Sequence, residues 1–141
     1  MLYDTIQGGQ GNDTLEGNRG VDRLFAQDGN DSLSGGESRD LLYGGKGDDT
    51  LNGGQGHDIF LGGEGSDLFD FADGDEAWRE QIIDFNPAED KVLLGFEGLG
   101  IDDLILSQDD SNMIINYGRG SLYLENVSEE DLNEDNLLFI L

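Results

Sequence analysis

Seven aspartates, Asp13, Asp22, Asp31, Asp40, Asp49, Asp58 and Asp67, lie nine residues apart without an insertion or deletion. Two residues after each stands a large apolar side chain: Leu15, Leu24, Leu33, Leu42, Leu51, Phe60 and Phe69. Asp4 and Ile6 keep the same phase upstream. Carboxylates repeated at a fixed period are hard oxygen donors, and stacking them brings like charges together. At an effective dielectric near 20, two carboxylates about 5 Å apart repel by about 3 kcal/mol. Such a column calls for cations. The chain has no cysteine, and its one histidine, His57, occupies a variable position of the repeat. Thiolate and imidazole metal sites are thereby excluded, and oxygen ligation suits calcium better than zinc or copper.

The elements that position these carboxylates follow from the same repeat. From Gly8 to Asp70 the chain reads GGQGNDTLE, GNRGVDRLF, AQDGNDSLS, GGESRDLLY, GGKGDDTLN, GGQGHDIFL and GGEGSDLFD. The triplet around position eight alternates out, in, out, which predicts a very short strand with one buried side chain. The six preceding residues are rich in glycine and predict a tight turn. A nine-residue unit cannot bury one apolar residue alone, so the units must coil, two per turn, with repeats n and n+2 as neighbours. Sheet spacing of about 4.8 Å then stacks one position-six aspartate over the next.

Composition narrows the function further. Thirty-two acidic residues against seven basic ones give a formal charge of −25. That surface excludes nucleic acid and anionic membrane as partners, since both demand a positive footprint. Disorder is the plain alternative for so acidic a chain, but these acids are periodic rather than blocked and the apolar fraction is ordinary. No basic region followed by an apolar run marks a Sec signal, and no apolar run reaches transmembrane length. Met1 enters the pattern in mid-repeat, which points to a larger protein with a further domain upstream.

The repeats resemble the GGxGxDxUx nonapeptides, U being apolar, of the RTX (repeats-in-toxin) haemolysin-type calcium-binding family. The resemblance implies an all-β fold, a right-handed parallel β-roll of 18 residues per turn over residues 1–70, with a carboxy-terminal β-rich cap over 71–141. It also implies calcium held between turns, by carbonyls two and four and aspartate six below and by carbonyls one and three and aspartate six of repeat n+2 above. Carried over, the best site joins Gly45, Gly47 and Asp49 to Gly62, Glu64 and Asp67, followed by Gly36, Ser38 and Asp40 with Gly53, Gln55 and Asp58. Three more involve degraded turns: Gly9, Gly11 and Asp13 with Ala26, Asp28 and Asp31; Asn18, Gly20 and Asp22 with Gly35, Glu37 and Asp40; Gln27, Gly29 and Asp31 with Gly44, Lys46 and Asp49. That gives about five internal calcium sites. The open upper halves at Asp58 and Asp67 are left for Asp73, Asp75, Glu76, Asp84 or Asp90 to complete, and Asp4 supplies only half a site.

Beyond Asp70 the glycine period stops. Residues 81–85 (QIIDF), 91–94 (KVLL), 113–117 (MIINY), 121–124 (SLYL) and 137–141 (LLFIL) predict strands, and 101–106 (IDDLIL) is ambiguous between a helical turn and a strand. Pro87 marks a turn, and Ser128 with Asp131 predicts a capping box opening a short helix. SDLFDF, IIDFNPAEDKVLL and DNLLFIL are similar to the segment that closes the roll in secreted RTX proteases and polysaccharide-modifying enzymes. The acidic and apolar terminus is similar to the uncleaved signal read by type I secretion systems, and is equally a last core strand.

The resemblance therefore implies a secreted, extracellular bacterial module, not itself an enzyme, that folds on exposure to extracellular calcium and supports type I secretion and stabilisation of a larger protein. Its partners are calcium, the upstream domain and the type I secretion apparatus. A second class is a calcium-dependent accessory module for a polysaccharide or cell surface, with Arg19, Arg23, Arg39 and Lys46 as its cations. No phosphate loop, EF-hand pattern or nucleophile–histidine set is present. Outward positions are unequal: odd repeats carry Thr14, Glu16, Ser32, Ser34, Thr50 and Asn52, and even repeats Phe25, Leu41, Tyr43, Ile59 and Leu61. Residues 71–141 are expected to fold back over that apolar even face.

Turn quality ranks the sites. Asp49 serves two complete sites and Asp22 one, so Asp49→Ala should remove about 3 kcal/mol of calcium-linked stability and Asp22→Ala about half that. Folding midpoints of the two variants in a calcium titration check this, and equal losses would contradict it.

Overall fold

The computed structural model describes residues 3–72, 79–95, 103–117 and 120–139. The repeats form eight strands: β1 (Thr5–Gln10), β2 (Thr14–Arg19), β3 (Arg23–Asp28), β4 (Ser32–Glu37), β5 (Leu41–Lys46), β6 (Thr50–Gln55), β7 (Ile59–Glu64) and β8 (Leu68–Phe71). The remainder adds β9 (Arg79–Ile82), β10 (Lys91–Leu94), β11 (Ile105–Asp109), β12 (Asn112–Asn116), β13 (Ser121–Leu124) and β14 (Leu137–Phe139). From β1 to β8, strands two apart pair in parallel with an 18-residue offset, as Leu24 with Leu42 and Leu42 with Phe60. The chain is all-β, its repeats wound alternately into two parallel sheets, and only β11, β12 and β13 among the described strands pair antiparallel. Position eight faces the space between them, and all seven of its residues are 0–3% exposed.

The strands are longer than the predicted triplets. Each full-length repeat strand spans positions seven to three, leaving only positions four to six as turn. The ladder continues past position nine because the positive φ at position two, as at Gly45 (119°) and Gly63 (104°), bends the strand without ending its pairing. Position one is skipped in the register, where the chain turns inward.

The described strands of the carboxy-terminal half do not fold over the even face. Its strands lengthen both sheets along the axis, in the orders β1-β3-β5-β7-β9-β13-β12-β11 and β14-β10-β8-β6-β4-β2. The physical reason is the open edge that β7 and β8 present: a strand added there satisfies a row of backbone groups, whereas a cover would leave them unpaired. Ile82, Leu124, Val92 and Leu137 continue the buried column. Phe25, Leu41, Ile59 and Leu61 stay partly exposed and Tyr43 is 38% exposed, with Phe25 and Tyr43 packed edge to face.

The predicted strands shift by a few residues. The 81–85 strand runs Arg79–Ile82, 113–117 runs Asn112–Asn116, and the ambiguous 101–106 segment yields β11 from Ile105. Residues 101–102 and 140–141 lie outside those described. Pro87 sits in a turn, and Glu129–Asp131 forms one 3-10 turn in which Asp131 Oδ2 accepts from the Ser128 N–H (2.9 Å) and hydroxyl (2.7 Å).

Because Leu42 is fully buried and Leu41 faces outward, Leu42→Ala should cost about 2–5 kcal/mol and Leu41→Ala less than about 1 kcal/mol. Urea unfolding at saturating calcium measures both, and similar losses would place the core elsewhere.

Candidate metal centres between the turns

The turns form two edges of the roll, with odd repeats along one and even repeats along the other. Each position-six aspartate is held by the strand that follows it and points back into its own turn. Oδ1 accepts the amide of the aspartate in the turn below: Asp13 N–H to Asp31 (2.6 Å), Asp31 N–H to Asp49 (2.7 Å) and Asp49 N–H to Asp67 (2.9 Å) on the odd edge. Asp4, Asp22 and Asp40 donate likewise to Asp22, Asp40 and Asp58 on the even edge. Oδ2 is different. In all seven aspartates that oxygen is buried without a hydrogen-bond partner. An orphaned carboxylate oxygen in a dry site is costly unless something positive meets it.

What faces those oxygens is main-chain carbonyl. A Cβ added at Gly35 would lie 2.6 Å from both Asp40 Oδ2 and the Gly53 carbonyl oxygen, and one at Gly8 would lie 2.7 Å from Asp13 Oδ2 and 2.8 Å from the Ala26 carbonyl. Gly44 has the same neighbours in Asp49 Oδ2 and the Gly62 carbonyl, and Gly17 in Asp22 Oδ2 and the Gly35 carbonyl. Position-one glycine thus keeps open a pocket bordered by the aspartate of its own turn and a carbonyl of the turn above.

Carbonyls two and four of each turn face upward. Those of Asn18, Gln27, Gly36 and Gly45 lie against Gly36, Gly45, Gly54 and Gly63, and those of Gly11, Gly29, Ser38 and Gly47 against Gly29, Gly47, Gly56 and Gly65. Carbonyl three faces downward: those of Asp28, Glu37, Lys46, Gln55 and Glu64 accept the amides of Gly11, Gly20, Gly29, Ser38 and Gly47 at 2.7–3.2 Å, which occupies one lone pair of each. Among the described residues no three acidic side chains converge on one point. A cation here takes most of its oxygens from the backbone. Buried carboxylate oxygens, converging carbonyls and a pocket that a single Cβ would fill together fit calcium.

The degraded turns carry identifiable strain. Asn18, Gln27 and Ser38 hold φ of 70°, 85° and 92°, and only asparagine tolerates such angles readily. Ala26 adds a cause that the sequence pattern hides: it is fully buried, and its Cβ occupies the space that glycine leaves open beside the aspartate in the other repeats. The effect there is steric as well as torsional.

At the carboxy-terminal end, Asp84 and Asp90 come to the odd edge. Asp90 Oδ1 accepts from the Asp67 N–H (3.0 Å), while Asp84 accepts from Gly62 (2.9 Å) and Gly63 (3.1 Å). On the even edge the residue in register is Glu80, whose Oε2 accepts from the Asp58 N–H (2.9 Å). Glu80 escaped the nine-residue phase because it follows Asp58 by 22 residues. The remaining signal was an acid two residues before a buried apolar side chain, Ile82. Asp73, Asp75 and Glu76 lie outside the described residues.

Burial is the main reason these acids hold protons unusually well; neighbouring carboxylates add to it, and the amide hydrogen bonds oppose it. Asp40 and Asp49 rise to about 6, Asp58 and Asp67 to about 7, and Glu80 to about 8. Asp84 and Asp90 are raised for the same leading reason. A folded pKa above the unfolded value means that the calcium-free roll binds more protons than the unfolded chain. Its stability is greatest below about pH 4 and is lost as pH rises through 6 to 8. Calcium-free protein should therefore gain β structure between pH 8 and pH 5, and calcium should bind more weakly at pH 5; circular dichroism and calcium titration at the two pH values check both.

Comparison with known proteins agrees with this geometry. The model of the RTX calcium-binding nonapeptide repeat (4 copies) matches residues 4–33 and 34–69. The solved AlgE6R3 subunit from the Azotobacter vinelandii mannuronan C5-epimerase is 27% identical, with a TM-score of 0.58 over 96% of this chain and 78% of that one. The AlgE6R2 subunit from the same epimerase is 28% identical, with a TM-score of 0.54 over 95% and 91%. The extracellular lipase LipA from Serratia marcescens is 27% identical over 94% of this chain and 20% of its own, with a TM-score of 0.39. No curated protein matches the chain. Residues 4–69 of the chain are RTX calcium-binding nonapeptide repeats.

Proposed function

We propose that the chain is a non-catalytic module, a roll over residues 1–70 closed by a cap over 71–141, that folds when it meets extracellular calcium and so supports secretion and stabilisation of a larger extracellular protein. Five internal sites are assigned to the five pairs of stacked turns. The observation that carries this reading is the set of seven buried, unpartnered Oδ2 atoms at the seven position-six aspartates. Extracellular calcium modules bind at about 0.1–1 mM. At ten times the dissociation constant each site adds about 1.4 kcal/mol, and five add about 7 kcal/mol, comparable to the stability of a whole domain. Without calcium the same carboxylates oppose folding, which keeps the chain extended for passage through a narrow channel such as a type I exporter.

The accessory glycan-binding alternative is weaker on two of its four cations. Arg19 is paired with Glu37 (3.1 Å) and Lys46 with Asp28 (3.6 Å), each across one turn of the roll. Those charges are spent on the ladders themselves.

Circular dichroism during a calcium titration tests the proposal. The expected outcome is a cooperative coil-to-β transition near millimolar calcium at pH 7.5, reversed by chelator. A fully folded chain in excess chelator at that pH would refute it.

A further inference from the structure

We infer that the position-five side chains of the odd repeats, Asn12, Asn30 and Asp48, are positioning residues for the calcium turns. They tie each odd turn to the next without the ion, which makes the odd edge the pre-assembled side of the roll and the even edge the side that opens. The inference rests on the reading of the repeats as calcium sites, and it orders the two edges by a feature other than turn glycine.

Position six links the turns in one direction, each aspartate amide donating to the carboxylate of the turn above. Position five links them in the other. Asn12 Oδ1 accepts the Asn30 N–H (3.0 Å), Asn30 Oδ1 the Asp48 N–H (3.1 Å) and Asp48 Oδ1 the Ser66 N–H (2.9 Å). Position four adds a further bond upward, as from the Gly29 N–H to the Lys46 carbonyl (2.8 Å). Three consecutive residues therefore clamp each pair of odd turns, with donation alternating in sense.

The even edge lacks the middle clamp. Its position-five residues are Val21, Arg39 and His57. Valine has no polar side-chain atom and arginine only donates, so neither can accept the amide of the turn above. Positions four and six still pair, as Ser38 N–H with the Gln55 carbonyl (2.7 Å) and Asp40 N–H with Asp58 (2.7 Å). Between these two turns lies a cleft lined by Glu37, Ser38, Arg39, Gln55, Gly56 and His57. The middle link returns where an acceptor returns, His57 Nδ1 accepting the Arg79 N–H at 3.0 Å.

The ladder does not compete with the ion. It uses amide hydrogens and exposed side-chain oxygens, whereas the pocket is bordered by carbonyls and the buried aspartate Oδ2 atoms. It can form before calcium arrives and so lowers the ordering cost that each ion must offset. Asn30 belongs to repeat three, whose turn departs from glycine at Ala26 and Gln27, so the clamp supports the turn that most needs it.

Native-state amide exchange of the full-length chain in saturating calcium tests the assignment, together with the rate of calcium release into excess chelator. Corrected for intrinsic rates, Gly29 and Gly47 should exchange more slowly than Gly20 and Ser38. Asn30→Ala should quicken Gly29 exchange about fivefold, leave Ser38 unchanged and speed the slowest phase of calcium release. Asn30→Asp, which keeps an acceptor as Asp48 does, should restore the slow exchange of Gly29. Conversely, Arg39→Asn should slow Ser38 exchange about fivefold relative to Arg39→Leu, which removes the same charge without supplying an acceptor. If Asn30→Ala does not fold, the Arg39 pair decides. Equal exchange at the two edges of wild type, equal acceleration of Gly29 and Ser38 in Asn30→Ala, or equal Ser38 exchange in the Arg39 pair overturns the positioning role alone. A wild-type chain that holds no calcium to release overturns the parent reading with it.

Discussion

The structure depends on a conflict between backbone pairing and charge. Every parallel pair two repeats apart lengthens the ladder and buries another position-eight side chain, and every such pair also stacks one aspartate on another. Backbone amides relieve part of the conflict, since the carboxylates of Asp22, Asp31, Asp40, Asp49, Asp58 and Asp67 each accept an N–H from the turn below through Oδ1. They leave Oδ2 unrelieved seven times over. Hydrophobic burial alone must then offset both chain entropy and repulsion in a core one side chain wide. Cations between the turns reverse the sign of the electrostatic contribution without any change in the backbone.

The same conflict explains why glycine dominates the turns for two separate reasons. At position two a positive φ is needed to bend the strand while its ladder continues. At position one space is needed, because a side chain would enter the pocket beside the aspartate. Ala26 and Gln27 offend both requirements in one repeat, whereas Ser38 offends only the torsional one, at position four.

Much of this was legible in the sequence because a nine-residue period leaves few ways to bury one apolar residue. The position-eight core and the 18-residue register follow from Leu15 to Phe69 and Asp13 to Asp67, while the facing of the turn carbonyls came from the resemblance of the repeats to a known family. Strand length was not legible, since the composition of glycine-rich turns does not reveal that positions one to three still pair. Steric crowding at Ala26 needed coordinates, because it arises between residues five apart in one turn. Asp90, 23 residues after Asp67, was among the acids expected to complete the end of the odd edge, whereas Glu80 was obscured by its spacing of 22 residues from Asp58 and by its longer side chain. The half-exposed even face misled expectation: an apolar outer row invites a cover, but an open sheet edge is the stronger demand.

Those two altered spacings have a consequence for how the coil finds its phase. Within the repeats, sliding one strand by 18 residues re-forms every amide-to-carboxylate bond with an equivalent partner, and glycine-rich strands do little to resist such a slip. Inside the repeats, only departures such as Ala26, Gln27 and Ser38 in the turns distinguish the correct winding from one displaced by a turn. At the cap the translation symmetry is broken: only one alignment brings Glu80 to Asp58 and Asp90 to Asp67. The cap is therefore the phase reference of the coil. Winding that begins there has a single outcome, whereas winding nucleated among the repeats yields displaced coils that must unwind before they can be joined to it.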